Sequence, residues 1–441
     1  MDRDLALVES RPPMPRRLLA LALLVPLLAT PARAQGLPAD EAAALGFDAA
    51  KLARVQALLD DNVRAGKFAG ASALIARKGR VALLAAAGHA DREAGRPMAP
   101  DTIVRIASMT KPITSVAAMI LVEEGRLSLD DPVARYLPEF ERMKVLDEKG
   151  GQSTVEADRP ITVRHLLTHT SGISYRFINH PGLAPIFVEH AVSDGLSETP
   201  GALSDNIQRV AQVPLAFQPG AQWHYGLNTD VIGRVIEVVS GQSLDAFFRD
   251  RIFEPLKMTD THFILPAEKR DRLAAVYGIE GGRPLERRPS LLIQRGPLVY
   301  STTYPLWNDN AGFYSGGAGL VSTLADYARF LQMLVNKGEL DGARILKPET
   351  VEAMTRNQIG DLPMAIGTRG TGFGYGFGVV TDTGQGPVPA GSYSWGGFFS
   401  TYFWVDPTHE LVGIVFTQTH PAGENTLVPD LQRLVYEALE K

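Results

Sequence analysis

The sequence predicts a mixed α/β (α+β) fold, an antiparallel sheet flanked by helices and joined to a second, mostly helical domain. Three observations carry that expectation. A strand–turn–strand pattern opens the body of the chain, strand-like runs close it, and the long middle reads as helices separated by Pro- and Gly-containing loops.

Taken in order, the body starts with a helical segment around Phe47 to Val63. The apolar runs Ala71–Ala76 and Val81–Ala85 then flank a Lys78-Gly79 turn, the pattern of a β-hairpin. From Ile113, the positions Ile113, Val116, Ala117, Ile120 and Leu121 follow the i, i+3, i+4, i+7, i+8 spacing of a buried helix face, closed by Gly125. Ser108 therefore lies at that helix's start, and Pro112 falls in its first turn, where a missing N–H does little harm. A further helix is expected over Val231–Val239. Tyr375–Val380, Tyr393–Val405 and Leu411–Thr417 read as successive strands, the last two joined at Asp406-Pro407, before a C-terminal helix over Leu427–Leu439. Strands at both ends imply a sheet domain made of residues 35–126 together with 306–441, and a mainly helical domain over 127–305.

Ahead of this body, Arg16-Arg17, the apolar stretch Leu18–Ala29 and Ala32-Arg33-Ala34 have the charged, apolar and small-x-small parts of a secretory leader. Residues 1–34 are expected to be removed, with Met14 as an alternative start because Asp2, Asp4 and Glu9 sit oddly before a positive region. The stretch is too short for a membrane span and carries Pro26, so the expected destination is the periplasm or the medium, without a membrane anchor after cleavage.

Composition narrows the chemistry. The chain has 441 residues, a formal charge of −5 and no basic run in its body, so nucleic acid is not an expected partner. It contains no cysteine, which removes thiol nucleophiles, thiolate metal sites and disulfides. No H-E-x-x-H motif occurs, and Gly372 to Gly378 miss the G-x-G-x-x-G spacing, so neither metal nor nucleotide cofactor is expected.

What remains is nucleophilic catalysis by an oxygen. Ser108-Met109-Thr110-Lys111 is an S-x-x-K motif, and an i, i+3 pair on a helix shares one face, so the Lys111 amine can reach the Ser108 hydroxyl. Taken alone the motif is common. About a hundred residues downstream, Tyr225 lies in a loop just before a helix, where a phenol polarised by an ammonium can move protons. Trp395-Gly396-Gly397 then puts two glycines inside an apparent strand, a sign of something approaching the backbone closely, a substrate carbonyl being one candidate.

In that order, the three motifs resemble the class C β-lactamase and penicillin-binding-protein-like serine hydrolase superfamily, most of all its family VIII carboxylesterases. Arg105–Lys111, His165–Gly172, Gln218–Gly220 and Gly316–Leu320 also resemble blocks of that family, so the likeness runs through nearly the whole body. It implies a β-lactamase/DD-peptidase-like fold with the active site between the two domains. It further implies Ser108 as nucleophile, Lys111 as its proton acceptor or electrostatic partner, and Tyr225 as the base that helps water attack the acyl-enzyme. The backbone N–H groups of Ser108 and Phe398 would form the oxyanion hole. Substrate-binding positions by the same reasoning are Trp395, Gly396, Gly397 and Leu227.

Two departures shape the expected substrate. Trp395-Gly396-Gly397 stands where a β-lactamase of this class has Lys-Thr-Gly or Lys-Ser-Gly, and Leu227 stands where the Tyr-x-Asn motif has Asn, with Asn228 adjacent. Losing the cation and gaining an apolar pair favour a neutral small-molecule ester over a β-lactam acid. The alternatives are an acyltransferase resembling the side-chain acyltransferase of the lovastatin pathway, a β-lactamase or DD-peptidase, and a non-catalytic ligand or cell-wall binding protein. A Ser-His-Asp triad built from His165, His169 and Ser171 is disfavoured, because no G-x-S-x-G elbow exists and the block resembles a structural turn.

Overall fold

The computed structural model describes residues 36–147, 153–178, 180–198, 201–281, 283–293, 298–306, 312–364, 366, 370–382 and 386–440. The expected leader, with Met14 and the Ala32–Ala34 site, lies outside the described residues. From Ala34 onward the chain is one compact unit.

Its centre is an eight-stranded antiparallel sheet. The strands are β1 (Gly70–Arg77), β2 (Arg80–Asp91), β3 (Arg96–Pro97), β6 (Thr371–Phe373), β7 (Gly378–Val380), β8 (Tyr393–Gly397), β9 (Thr401–Asp406) and β10 (Leu411–Thr417), in the order β6-β7-β8-β9-β10-β1-β2-β3. A separate short ladder pairs β4 (Val104–Arg105) with β5 (Val321–Ser322). β1 pairs with β10 from Ala71↔Thr417 to Arg77↔Leu411, which joins the two ends of the sequence in one sheet.

Alternation along β1 assigns the two faces. Ala71, Ala73 and Ile75 pack with Val415 and with helices α1 (Ala49–Leu52), α2 (Arg54–Arg64) and α7 (Leu427–Ala438) through Leu52, Val55, Leu59, Leu431 and Val435. Leu74, Ala76, Ile414 and Phe416 face the other way, toward α3 (Thr110–Glu123) and α6 (Leu324–Val335). Helix α3 is central: every residue from Thr110 to Leu121 is buried. Gly125, at φ +69°, closes it in the left-handed conformation that glycine adopts without a Cβ clash.

Two expectations need correction. Tyr375–Val380 is not one strand: Gly376 at φ +90° turns the chain, so β6 and β7 form a hairpin. Tyr393–Val405 is likewise two strands, reversed over Phe398-Phe399-Ser400 with Ser400 at φ +59° and a Ser400 N–H to Gly397 carbonyl bond of 3.1 Å, the pattern of a three-residue hairpin loop. Apolar residues run through both turns, with Gly374–Phe377 buried in the first and Phe399 buried in the second, which hides them from a pattern reading.

Residues 127–305 hold α4 (Val163–Leu167) and α5 (Asn228–Ser240) and also two two-stranded ribbons, Tyr277–Gly278 with Glu286–Arg287 and Ser290–Ile293 with Leu298–Ser301. These ribbons are tied to the sheet side. Tyr277 exchanges backbone bonds with Gln418 and His420 at 2.8 Å each, and the buried Arg105 donates to the carbonyls of Ala274 (2.7 Å) and Thr302 (2.6 Å). One hydrophobic core containing Ile113 and Val116 of α3 with Val231 and Val235 of α5 crosses the expected domain boundary.

Candidate active site

Ser108 sits in a single 3-10 turn, Ala107–Met109, that leads into α3. The preceding Ala107 has φ +42°, a left-handed conformation that a residue with a Cβ adopts at a cost of order 1–3 kcal/mol, and such strain gathers at working sites. The turn is pinned from several sides. Ile106 N–H donates to the Leu320 carbonyl (3.1 Å), and Tyr327 Oη donates to the Met109 carbonyl (2.8 Å).

One turn on, Lys111 is 1% exposed. Its Nζ donates to Ser108 Oγ at 3.2 Å and to the Gly317 carbonyl at 2.8 Å. The same nitrogen lies 4.6 Å from the Tyr225 ring centroid and 5.3 Å from that of Tyr175, within cation–π range of both. Behind them is the buried Asp230, whose Oδ1 accepts from Ser315 Oγ (2.6 Å) and Gly317 N–H (3.4 Å). Burial raises the Asp230 carboxyl above its ordinary range, and Ser315 and Lys111 pull it back. Gly317 thus carries Lys111 on its carbonyl and Asp230 on its N–H.

Tyr225 is held in an aromatic cluster with Trp223, His169, Tyr175 and Trp395. Trp395 Nε1 donates to its oxygen at 3.4 Å. Burial, followed by the acidic neighbours Tyr225, Asp230 and Asp194, pushes the Tyr175 phenol well above its usual value, so it stays neutral.

A cavity of about 610 Å³ is lined by Ser108, Tyr225, Trp395, Gly396, Gly397 and Phe398, bringing six of the expected site residues to one space. Lys111 lies beneath it on the Ser108 hydroxyl. Leu227 does not join them: its side chain is fully buried in the core, and as the N-cap of α5 its carbonyl accepts from Val231 N–H (3.1 Å). Nor does Asn228 replace the missing motif residue, since its amide is buried between Ser171 Oγ and His169 Nδ1. Assignment of Leu227 to substrate binding is therefore withdrawn; helix initiation turned this pair into the fold.

The close approach expected at the glycines is made by the protein itself. A Cβ on Gly397 would lie 2.4 Å from the Ile106 carbonyl oxygen, two residues before Ser108, and 2.1 Å from Thr401 Oγ1. Only glycine lets β8 lie this close to the nucleophile's turn. Phe398 follows at once, gripped between the His420 ring (3.7 Å, stacked) and the Tyr300 ring (5.2 Å, edge-on). Burial lowers His420 to about 4, so this ring is neutral at physiological pH.

The histidines of the 165–169 block have structural tasks. His165 Nδ1 accepts from Thr162 N–H (3.2 Å) in a capping box at the start of α4. His169, buried at φ +56°, positions Asn228, and burial beside Lys111 holds it well below its usual value.

Sequence reading missed Tyr175, Asp194 and Tyr300, which share the cavity wall. Asp194 accepts from the N–H groups of Arg176 (3.1 Å) and Phe177 (3.2 Å) and from Tyr300 Oη (2.9 Å). Tyr175 lies three residues past the His165–Gly172 block and was within reach of a motif reading; Asp194 and Tyr300 carry no local signal.

A family model described as Beta-lactamase matches residues 55–437. The chain belongs to this β-lactamase family. It is 36% identical over 391 residues to Esterase EstB of Burkholderia gladioli, covering 86% of this chain and 94% of that one. Among solved structures it is similar to EstCE1, described as a hydrolase with promiscuous acyltransferase activity, at 30% identity and a TM-score of 0.76 over 88% of this chain and 99% of that one. A mutant of simvastatin synthase from Aspergillus terreus is similar at 26% identity and a TM-score of 0.70, over 90% and 98% of the two chains. As a member of this family the chain is an enzyme, a serine hydrolase with the β-lactamase-like mixed α/β fold.

Proposed function

We propose that this enzyme hydrolyses neutral carboxylic esters through an acyl-enzyme on Ser108. The observation that carries the reading is the Lys111 Nζ–Ser108 Oγ contact of 3.2 Å at a cavity walled by Tyr225 and Trp395. Ser108 Oγ attacks the ester carbonyl carbon as its proton passes to the Lys111–Tyr225 pair, and the tetrahedral oxyanion is received by the N–H groups of Ser108 and Phe398. Collapse expels the alkoxide, which takes the proton from Tyr225. Tyr225 then removes a proton from water as the oxygen attacks the acyl carbonyl, and collapse of the second tetrahedral intermediate expels Ser108 Oγ, which takes that proton back from Tyr225 as the carboxylic acid leaves. Substrate neutrality follows from Trp395, an indole at the position where the lactamase motif has lysine, and the likeness to Esterase EstB supports the same reading.

A fluorophosphonate probe followed by mass spectrometry tests the acyl-enzyme. The expected adduct is on Ser108; an unlabelled Ser108 in active protein would sink the assignment.

Acyl transfer is the second reading, supported by the likeness to acyltransferase calJ of Penicillium decumbens, 29% identical over 77% of this chain, and to simvastatin synthase. An alcohol replaces water in the second half-reaction. Product ratios from one ester with and without a competing alcohol separate the two: hydrolysis as the main function predicts mostly free acid at millimolar alcohol.

A further inference from the structure

The cavity extends past the reacting groups. Its lining includes, besides Ser108, the residues Val388, Ser392, Ser394, Tyr402, Trp404 and Gln432. Side chains alternate across a strand, so Tyr393 and Trp395 of β8 face the core with Phe373, Phe377 and Phe403, while Ser394 and Gly396 face the opposite side with Tyr402 and Trp404. The far group therefore lies on the other face of the sheet from the catalytic lysine, where α7 contributes Gln432.

The route between the faces is visible in the strand pairing. β7 pairs with β8 only at Tyr393 and Ser394, which leaves the Trp395–Gly397 edge of β8 without a neighbouring strand on that side among the described residues. Gly396 has no side chain there, and a Cβ on it would press on the Tyr402 ring at 3.2 Å. The chamber beyond is mostly apolar, and its polar pair is already satisfied internally, Tyr402 Oη donating to Ser394 Oγ (2.8 Å).

Resting on the ester reading above, we propose that this mostly apolar chamber on the far face of the sheet receives the distal end of a long-chain neutral ester. A space of about 610 Å³ is of the size that holds drug-like molecules, well beyond an acetate ester.

The test compares p-nitrophenyl acetate and octanoate in the wild type and Val388→Trp. Expected is a kcat/KM ratio of octanoate to acetate above ten in the wild type, reduced at least tenfold when the indole introduced by Val388→Trp fills the chamber. Calorimetric titration of N-methyl octanamide, which is not cleaved, reads the chamber without turnover and should show at least tenfold weaker binding to Val388→Trp. Equal octanoate-to-acetate ratios in the wild type and Val388→Trp, or equal amide affinities, would overturn the proposal. Loss of the ester reading looks different: neither ester is cleaved and Ser108 is not acylated, while the amide titration still reports on the chamber.

Discussion

Trp395 Nε1 points at the Tyr225 oxygen from 3.4 Å, and the two rings lie 5.5 Å apart. The residue that takes the place of the lactamase lysine thus touches the phenol assigned to proton transfer. A neutral donor steadies a developing phenolate less than an ammonium does but adds no charge to attract a carboxylate. Trp395→Phe should keep the ring packing and lose the donor, lowering kcat for a p-nitrophenyl ester by about two- to tenfold with little change in KM. A KM effect alone would show that the indole only lines the pocket.

The same substitution of motif residues predicts selectivity. A charge-assisted hydrogen bond to a carboxylate contributes about 1.5–3 kcal/mol, so its absence should weaken productive binding of penicillins by about one to two powers of ten. kcat/KM for a p-nitrophenyl ester should far exceed that for a chromogenic cephalosporin. Equal or better efficiency on the lactam would falsify the ester assignment.

Ser108→Ala should lower ester turnover by about three powers of ten or more while leaving the fold intact, since among the described residues the side chain bonds only Lys111 and it lies within a turn held by backbone bonds. Purified mutant protein with native circular dichroism and wild-type turnover would remove Ser108 from the mechanism.

A stability prediction concerns Asp326, remote from the chemistry. Burial raises its carboxyl to about 7, against the N–H of Asp260 (2.7 Å) and the hydroxyl of Thr261 (2.9 Å), which lower it. The charged neighbours are Asp260 and its partners Lys269 (3.0 Å) and Arg272 (2.8 Å). A carboxyl whose folded value lies above its unfolded value of 3.8 contributes stability that is fully present below about pH 4 and is lost as pH rises through about 7. Asp326→Asn keeps an acceptor for both donors and has no titration. Its Tm relative to wild type should therefore rise by about 2 °C or more between pH 5 and pH 8; a constant difference would show that Asp326 does not titrate in this range.

Export is predicted from the Arg16-Arg17 leader and the Ala32-Arg33-Ala34 site. Mass spectrometry of the protein from its source cells should find a mature N-terminus at Gln35. An intact leader on a cytosolic protein would contradict it.

What the sequence determined by itself was everything written in local spacing. The hairpin at Lys78-Gly79, the buried helix after Ser108 and the i, i+3 placement of Lys111 on Ser108 follow from periodicity and turn chemistry, which need no knowledge of distant residues. Motif order added Tyr225, Trp395, Gly396, Gly397 and Phe398, and all of them line one cavity with Ser108. Tertiary structure alone decided the rest. It turned Leu227 into the core, because the start of α5 fixes the direction of its side chain, and it gave Gly397 the Ile106 carbonyl as its close neighbour. It also placed the Gly317 carbonyl on Lys111 and the Tyr300 hydroxyl on the Asp194 carboxylate, pairings that span 206 and 106 residues and leave no trace in any window of sequence. The chamber behind β8 belongs to the same class: it exists because one strand ends two residues into its pairing, and a register between distant strands is settled only when the whole sheet packs.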